Sequence, residues 1–312
     1  NQTYEGMNVI IYEKNHEQAW NNFVEKVDFP FFFNRKYMEY HEDRFKDYSL
    51  LLIKNEIILA LLPANIFENQ IYSHQGLTFG GLICNKNISL KIYFEYWQHI
   101  LNFLKNNHIQ ALNLRAQPSF VIFDDRQQSI LNLIGATLVK NQNNVIVDNT
   151  SLNTLHLRKK RNIKKSANIP FKIDKKETVN DFWEILSNVL QVKHNKKPVH
   201  TVEEMNFLMN NFPKNILHYV ISVDNKICAG IILFKYSNQS NIFHIQYMAA
   251  NDFAHKFSLL DRLIVEIFTI YPQSVFSFGI SDVENDINWG LLQWKMEFGG
   301  RIVQQASYHI NI

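Results

Sequence analysis

The stretch SLLLIKNEIILALLPANI, residues Ser49–Ile66, decides the fold because a second stretch of the chain has the same pattern. That second stretch is LHYVISVDNKICAGIILFKY, residues Leu217–Tyr236. Each contains two apolar runs separated by a short polar segment, which predicts a β-hairpin. The polar segments are centred on Asn55 and Asn225, a little more than half the chain length apart. The pattern therefore indicates two similar halves.

The ends of the two halves are also alike. LIGATLVKNQNNVIVD covers Leu133–Asp148, and EFGGRIVQQASYHINI covers Glu297–Ile312. Each is interpreted as the end of a helix, a glycine C-cap (Gly135 or Gly299) and a closing hairpin of two strands. Hairpins and glycine-capped helices are common, but two pairs at nearly one offset favour a duplicated domain. The predicted domains are residues 1–150 and 151–312, with a junction near 149–157.

Each half also has an internal order of elements. In the first half we predict helices over Glu17–Lys26, Arg35–Phe45, Leu90–Asn107 and Gln127–Ile134, and strands over Gln70–Phe79 and Ala111–Ala116. In the second half we predict helices over Thr154–Lys165, Val179–Val192, Val202–Phe212, Ser258–Ile270 and Asn288–Phe298, and strands over Ile242–Ala250 and Val275–Ile280. Strands and helices in mixed order predict an α/β (α+β) protein with mixed sheets.

Composition excludes several classes of protein. The chain has 312 residues, of which 46% are hydrophobic and 20% charged, so it can build a core and is not a disordered chain. Its net charge of +3 is too low for a general nucleic-acid binder, so no DNA partner is expected and any basic site must be local. The two cysteines, Cys84 and Cys228, are too distant in sequence to form a zinc ligand pair, and we expect them to be buried thiols in a reducing compartment.

No membrane span or secretion signal is predicted. The most apolar stretch, Leu50–Ile66, is interrupted by Lys54, Asn55 and Glu56, whereas a spanning helix needs about 18 apolar residues in a row. The first residues are polar and lack an apolar signal core, and the native start is interpreted as Met7. We therefore expect a cytoplasmic protein.

The run RKKRNIKK, Arg158–Lys165, concentrates six basic residues in eight. On a helix, Arg158, Arg161 and Lys165 would share one face, and arginine can bind phosphate in a bidentate manner. The three residues are therefore candidates for binding a substrate phosphate. A solvated cationic face and a patch for tRNA remain the alternatives.

The segment SHQGLTFGGL has three glycines in six residues, which indicates close approach of the backbone or positive φ. His74, Gln75 and Thr78 offer polar groups beside Phe79 and are candidates for substrate binding. The alternative is a bulged edge strand.

Two loops that precede helices hold candidate proton-transfer residues. His200 lies just before Thr201, a predicted N-cap, and a loop histidine suits substrate binding or proton transfer unless it is an ordinary surface histidine. His194 and His200 are six residues apart, a spacing that fits no metal motif, so no metal is predicted. Asp282 follows a strand at the carboxyl edge of the sheet and is a candidate base or a simple turn residue.

Five strings in order carry a family resemblance: SHQGLTFGGLI, RKKRNIKKS, KHNKKPVHT, HIQYMAA and FGIS…NWGLLQWKMEFGG. A hairpin, a strand, a helix, a strand, a helix and a closing strand pair is the order of the GNAT fold, and it occurs twice here. From about Glu17 to the end, the chain resembles the FemAB-like tandem-GNAT acyltransferases. The resemblance implies two tandem GNAT-like domains, the second of which carries the acyl-CoA site.

That family contains two kinds of enzyme. One moves amino acids from aminoacyl-tRNA onto peptidoglycan precursors, and the other moves acyl groups from coenzyme A or carrier protein, in some members onto nucleotide-linked amino sugars of surface polysaccharides such as O-antigen. The chain lacks the long coiled-coil insertion of some peptidoglycan enzymes, which favours a sugar N-acyltransferase. Acyl-CoA is then a co-substrate, no cofactor is bound permanently, and tRNA is the less favoured partner. The alternatives are an aminoacyl-tRNA-dependent transferase and a non-catalytic GNAT-like binding module.

The resemblance also implies roles for individual residues. The acyl carrier is expected along the strand Ile242–Ala250 and at the start of the next helix, where Ser258 and Asp261 form a near capping box. The candidate CoA-binding residues are Tyr247, Met248, Ala249, Lys256, Phe257 and Ser258. The candidate substrate-binding residues are His74, Gln75, Thr78, Arg158, Arg161, Lys165, Gln246 and Asn288, and the candidate catalytic residues are His200, Asp282 and Lys295. Lys295 would stabilise charge on the substrate, unless it is only a favourable charge at a helix end.

Overall fold

A computed structural model describes residues 6–122, 125–148, 154–284 and 286–312, apart from the side chains of Ile122 and Val283. The chain forms two compact units: one comprises the residues up to Gln142 together with Val303–Ile312, and the other comprises Asn143–Ile302. Each unit is mixed α/β, as the sequence predicts. The predicted junction lies partly outside the described residues.

The first unit contains two sheets and the helices that pack on them. Its helices are α1 (Glu17–Lys26), α2 (Arg35–Met38), α3 (Leu90–Asn106), α4 (Ser119–Ile122) and α5 (Arg126–Leu133). Its strands are β1 (Met7–Ile11), β2 (Leu50–Lys54), β3 (Ile57–Leu62), β4 (Asn65–Phe67), β5 (Gln70–Tyr72), β6 (Ile83–Cys84), β7 (Ala111–Arg115) and the first part of β8 (Thr137–Asp148). One sheet has the order β1-β2-β3-β6, and in the other β4, β5 and β7 are neighbours in that order.

The second unit contains a larger sheet. Its helices are α6 (Leu157–Ile163), α7 (Asn180–His194), α8 (Val202–Asn211), α9 (Asp252–Lys256), α10 (Leu259–Ile270) and α11 (Trp289–Met296). Its strands are β9 (Phe171–Lys176), β10 (Ile216–Val223), β11 (Lys226–Lys235), β12 (Ile242–Ala250), β13 (Val275–Ile280), β14 (Asp282–Val283), β15 (Asp286–Ile287) and the last part of β8, and the chain ends in β16 (Arg301–Asn311). The strand order is β8-β13-β12-β11-β10-β9, and only the β12–β13 pair among these described strands is parallel.

The two predicted hairpins are confirmed. β2 pairs with β3 through a two-residue turn at Asn55 and Glu56, and β10 pairs with β11 through Asp224 and Asn225. All four turn residues have positive φ, between 50° and 63°. Such turns match the twist of the flanking strands, and Asn and Asp tolerate this backbone region better than other non-glycine residues.

The closing hairpins were predicted wrongly. β8 and β16 are single long strands, because their central polar residues include no glycine or proline that would turn the chain, and several of them, Gln142, Asn144 and Gln305, are buried in the strand. Asn144–Asp148 of β8 pairs with β13, whereas Ser307–Asn311 of β16 pairs with β7. The last part of β8 thus belongs to the second unit, and β16 from Val303 onward belongs to the first unit.

Two other predicted elements are too long. The strand predicted over Gln70–Phe79 ends at Tyr72 and is followed by a turn in which His74 has a φ of 53°. The helix predicted over Arg35–Phe45 ends at Met38 and continues only as a 3₁₀ turn. None of the described helices is long and apolar enough to cross a membrane.

Each unit has its own apolar core. In the first unit, Trp97 of α3 and Leu112 of β7 are fully buried. In the second unit, β10–β13 pack against α10 and the end of α11, with Leu263, Phe276 and Phe298 at the centre. Cys84 and Cys228 are buried thiols, as predicted.

Candidate functional site

The second unit contains a cavity of about 690 Å³ at the carboxyl end of β12. Residues of α7, β12, α9, α10 and α11 and of the basic segment that includes α6 line it. They are Asn162, Lys165, Val189, Leu190, Lys193, His194, Met248, Ala249, Ala250, Ala254, His255, Ser258, Leu260, Asp261, Asn288, Gly290, Leu291 and Trp294. This volume suits an extended organic ligand.

The cavity opens where two parallel strands separate. Pairing between β12 and β13 covers only Ile242–His244 and Val275–Ser277. On its other side, β12 pairs with β11 on both sides of a bulge: Ile232 lies opposite Tyr247 and Leu233 opposite Ile245, which leaves Gln246 as the extra residue. Beyond the bulge, the edge of β12 that pointed toward β13 has no ladder partner among the described residues. On this edge no ladder pairing with the described residues occupies the backbone groups of Tyr247–Ala249, which a ligand can contact, whereas the backbone of Ala250 bonds with the His255 side chain.

The start of α10 forms one wall of the cavity. Asn251 caps the short helix α9 by accepting a hydrogen bond from Ala254 N at 2.9 Å. Ser258 then adopts a left-handed conformation with a φ of 54° directly before α10, and its side chain makes no capping hydrogen bond. The predicted near capping box is therefore wrong, because Asp261 Oδ1 instead accepts a hydrogen bond from Trp294 Nε1 at 2.9 Å.

Basic side chains dominate the lining of the cavity. Lys165, Lys193, His194 and His255 face it, and Asp261 is the single acid among the described residues that line it. Burial, together with Lys193, lowers the pKa of His255, so this imidazole is neutral at pH 7. The positive balance and the free amides at the start of α10 favour an anionic ligand.

A second polar cluster lies at the end of β13. Lys295 Nζ donates hydrogen bonds to the carbonyl oxygens of Gly279 at 3.3 Å and Ile280 at 3.0 Å. Burial lowers its pKa to about 8, and Asp282 partly opposes this shift. Asp282 Oδ2 accepts a hydrogen bond from Asn143 N at 3.1 Å, and its buried Oδ1 has no hydrogen-bond partner among the described residues.

Comparisons with solved structures identify the fold of the chain. No protein-family profile matches the chain, and no curated protein matches it. Among solved structures, FemX superimposes with a TM-score of 0.70 at 8% identity, covering 98% of this chain and 97% of FemX. The chain has the fold of FemX and of tandem GNAT proteins.

Two further structures support this assignment of the fold. L-PGS from Bacillus licheniformis superimposes with a TM-score of 0.64 at 10% identity, covering 96% of this chain and 91% of that one. A tandem GNAT protein from the clavulanic acid biosynthesis pathway superimposes with a TM-score of 0.51 at 8% identity, covering 98% of each chain. At these identities the likeness concerns the fold alone.

The cavity of this GNAT-like fold contains part of the predicted CoA set. Met248, Ala249 and Ser258 line it. The other three predicted residues, Tyr247, Lys256 and Phe257, do not line it, and Lys256 lies over the ring of Phe257. Sequence reasoning missed Lys193 and His255, although His255 lies in the loop that it singled out.

Only some of the substrate-binding residues predicted in the second unit line the cavity. Lys165 and Asn288 line the cavity, and Asn288 also caps α11 by accepting a hydrogen bond from Leu291 N at 3.0 Å. Arg161 is exposed, and Arg158 pairs with Glu297 at 3.5 Å. Because α6 ends at Ile163, the predicted common face of Arg158, Arg161 and Lys165 is not a single helical face. Gln246 is the bulged residue of β12.

His200 is buried rather than a surface histidine. Its Nδ1 is hydrogen-bonded to the hydroxyl of Tyr247 at 2.7 Å, and burial raises the pKa of Tyr247 to about 12. Thr201 and Glu204 form the capping box that holds this loop at the start of α8. His200 therefore contacts β12 beside the bulge and does not itself line the cavity.

A buried polar group beside the parallel ladder was not predicted. His244 Nδ1 is hydrogen-bonded to Ser277 Oγ at 3.0 Å, and Asn144 Nδ2 donates to the same oxygen at 3.1 Å. Burial, and then Lys295, lowers the pKa of His244 to about 4, so the ring is neutral. His244, Ser277 and Asn144 lie on β12, β13 and β8, which are distant in sequence. Only the register of strand pairing therefore brings the three side chains together.

The predicted residues of the first unit surround the loop after β5. His74 is buried and stacks on His41 with ring centroids 5.5 Å apart, and burial lowers its pKa to about 3. His74 and Arg35 line a cavity of about 250 Å³. Gln75 exchanges two hydrogen bonds of 2.8 Å with the side chain of Asn65, and the carbonyl of Thr78 accepts hydrogen bonds from two side chains. Among the described residues, no group of three possible metal ligands occurs.

Proposed function

We propose that the protein is an N-acyltransferase that takes an acyl group from acyl-CoA in the second-unit cavity. The observation that carries this proposal is the separation of β12 and β13 beyond Ser277, which leaves an open strand edge along the cavity. The pantetheine arm of CoA is extended and contains two amides, so it can pair with that edge as an added strand does. The basic lining and the start of α10 suit its phosphates.

The transfer itself needs little covalent chemistry from the protein. An unprotonated amine attacks the thioester carbonyl, the C–N bond forms, and the tetrahedral intermediate collapses with cleavage of the C–S bond. The amine loses one proton, and the leaving thiolate gains one. A backbone N–H near the bulge, in Tyr247–Ala249, would stabilise the oxyanion, and holding the two substrates together would supply much of the rate.

The base that removes the proton is proposed from two residues, His200 and Asp282, with water as relay. The hydrogen bond between His200 and Tyr247 favours a supporting role for the histidine, because it contacts the strand and not the cavity. If His200 is the base, His200→Asn lowers kcat by roughly 10²–10⁴ and removes the acidic limb of the pH–rate profile. If it only supports binding, KM rises while kcat stays nearly unchanged. Asp282→Asn, measured in parallel, is the matched comparison.

The acceptor is proposed to be the amine of a nucleotide-linked amino sugar. The exposed Arg161 is available to the diphosphate of such a molecule without lining the donor cavity. Arg161→Ala is expected to weaken nucleotide-sugar binding by about 1.5–3 kcal/mol and to leave CoA binding unchanged. Equal losses for both ligands would contradict a role specific to the acceptor.

An aminoacyl-tRNA donor is the second candidate, and one observation favours it. Lys160, Arg161 and Lys164 are exposed on the basic segment and lie outside the lining of the cavity. A polyanion longer than CoA could use them. This candidate predicts activity that ribonuclease abolishes.

The deciding experiment is a ligand and turnover panel on the full chain. Calorimetry with CoA is expected to show binding, and mass spectrometry is expected to show transfer of an acyl group from acyl-CoA to a UDP-linked amino sugar. Tight nucleotide-sugar binding without turnover of any thioester would favour a non-catalytic binding module. Absence of CoA binding would contradict the proposed donor.

A further inference from the structure

Lys159 is a fully buried cation behind the cavity. It belongs to the basic run, but its side chain points away from solvent, with an exposed fraction of 0%. Its Nζ lies 3.3 Å from Asp261 Oδ1 and 4.0 Å from Glu297 Oε2. It also lies over the rings of Phe298 and Trp294, at 4.0 and 4.5 Å from their centroids. A cation so deeply buried is costly unless it meets opposite charge.

Asp261 is what connects Lys159 to the cavity. The carboxylate of Asp261 lies in the first turn of α10 and is part of the lining, as is Trp294, which donates to it. The groups that face Asp261 are Lys159 from α6, Trp294 and Glu297 from α11 and its end, and His255 from α9. Among these, Lys159 is the cation that opposes the charge of the carboxylate.

Without a neighbouring positive charge, the Asp261 carboxylate would oppose the binding of an anion in the cavity. Lys165, Lys193 and the start of α10 attract an anion, whereas a bare Asp261 would repel it from the same wall. We propose that Lys159 is a charge-compensating residue, whose buried ammonium cancels the Asp261 carboxylate so that the cavity accepts a phosphate ester. This inference rests on the proposed function, since it concerns the phosphates of the ligand in that cavity.

Binding experiments distinguish the effect of the Lys159 charge from the effect of a disturbed fold. The probes are CoA, uridine diphosphate and pantetheine, which has no phosphate, at pH 8.5. Lys159→Met is expected to weaken the binding of CoA, whose phosphates enter the cavity, by about five- to tenfold, with pantetheine binding and any uridine diphosphate binding outside the cavity unchanged within about twofold. The double variant Lys159→Met/Asp261→Asn is expected to restore the affinity, and Lys160→Met, an exposed neighbour on α6, is the control for charge alone. Equal losses for CoA and pantetheine, or no restoration in the double variant, would overturn the proposal.

A second experiment uses NMR spectroscopy and does not require that CoA binds. The indole N–H of Trp294 donates to Asp261, so its NMR signal, assigned with Trp294→Phe, reports the charge on that carboxylate. In Lys159→Met its titration midpoint is expected at least about one pH unit above that of the wild type. Equal midpoints would overturn the proposal even if no phosphate ligand binds, whereas a wild type that binds no probe contradicts only the proposed function.

Removing one partner of a buried pair can prevent folding, so a milder variant is included. Asp261→Asn keeps the shape and an acceptor for Trp294, and it leaves Lys159 beside Glu297. It is expected to tighten CoA binding severalfold and to leave pantetheine binding unchanged. An unchanged affinity for CoA would also count against charge compensation.

Discussion

The two units contain the same parallel ladder but continue it differently. In the first unit β5 pairs with β7 over three residues, and in the second β12 pairs with β13 over three residues. Beyond the ladder of the first unit, the chain turns back: Gly80 N donates to the carbonyl of Arg115 at 2.9 Å, and Arg115 N donates to Ser73 Oγ at 2.8 Å. The returning main chain at Gly80 and the side chain of Ser73 therefore occupy the gap beside β7.

In the second unit the corresponding gap stays open. β12 continues from the end of the ladder to Ala250, and the 690 Å³ cavity lies at that end. The carbonyls at the end of β13 are bound by the Lys295 side chain rather than by returning main chain. The comparison indicates that the length of the strand after the ladder, and not the ladder itself, decides which unit can take an extended ligand. One CoA per chain is therefore expected, and two sites by calorimetry would contradict the comparison.

The largest expected effect comes from filling the open gap. Gly290 lines the cavity, and a Cβ added to it would meet only Asn288 Oδ1, at 3.7 Å. Gly290→Trp therefore places a ring in the cavity without a backbone clash, and CoA affinity is expected to fall by at least about 100-fold, more than one lost charged contact costs. Gly290→Ala is the control, with CoA affinity unchanged and stability raised by about 0.5–1 kcal/mol. An affinity that survives the tryptophan would locate CoA elsewhere.

The next effect concerns the lysine at the end of β13. Burial lowers the pKa of Lys295 to about 8, below its ordinary value of 10.5, so the folded state disfavours the charged form. Below pH 8 Lys295 is protonated in both the folded and the unfolded protein, and burying the charged ammonium lowers the free energy of unfolding in full. Between pH 8 and 10.5 Lys295 keeps its proton only in the unfolded protein, so this destabilisation decreases as the pH rises. Relative to Lys295→Met, the wild type is expected to gain about 2 kcal/mol between pH 7 and pH 9.5. Urea unfolding measures this, and a difference that does not change with pH would contradict a depressed pKa.

The closed gap of the first unit is tested by Gly80→Ala. A Cβ at this position would lie 2.3 Å from the carbonyl oxygen of Ser73, so the main chain must move. The expected loss is about 1–3 kcal/mol of stability, with CoA affinity unchanged. Thermal unfolding with Gly290→Ala as the matched glycine substitution provides the comparison, and no loss would mean that the loop can relax without cost.

The smallest expected effect concerns the rim of the open gap. Lys165 lines the cavity, and Lys164 next to it is exposed and does not. Lys165→Ala is expected to weaken CoA binding by about tenfold, because one charged contact to phosphate is lost. Lys164→Ala is the control. Equal effects of the two variants on CoA affinity would mean that these lysines act only through their overall positive charge and that Lys165 makes no direct contact with phosphate.

Sequence analysis identified the segments that border the cavity better than it identified the individual side chains of the site. The loop that includes Ser258 was singled out by the resemblance to tandem GNAT acyltransferases, and Ser258 does line the cavity. Lys193 was missed because it lies at the end of α7, far from that loop in sequence. His244 and Asn144 were missed because the strand register brings them together, and the sequence carries no signal of that register.

The sequence by itself determined the two hairpins with their turns and the extents of β12 and β13. These features depend on local patterns: alternating apolar residues and turn residues that tolerate positive φ. Only the tertiary structure decided that β8 and β16 are single strands that complete different units, because strand pairing joins residues distant in sequence. It also decided the inward position of Lys159 in a run of six cations. Burial on one side of a short helix, beside Asp261 and Glu297, separates that lysine from its exposed neighbours.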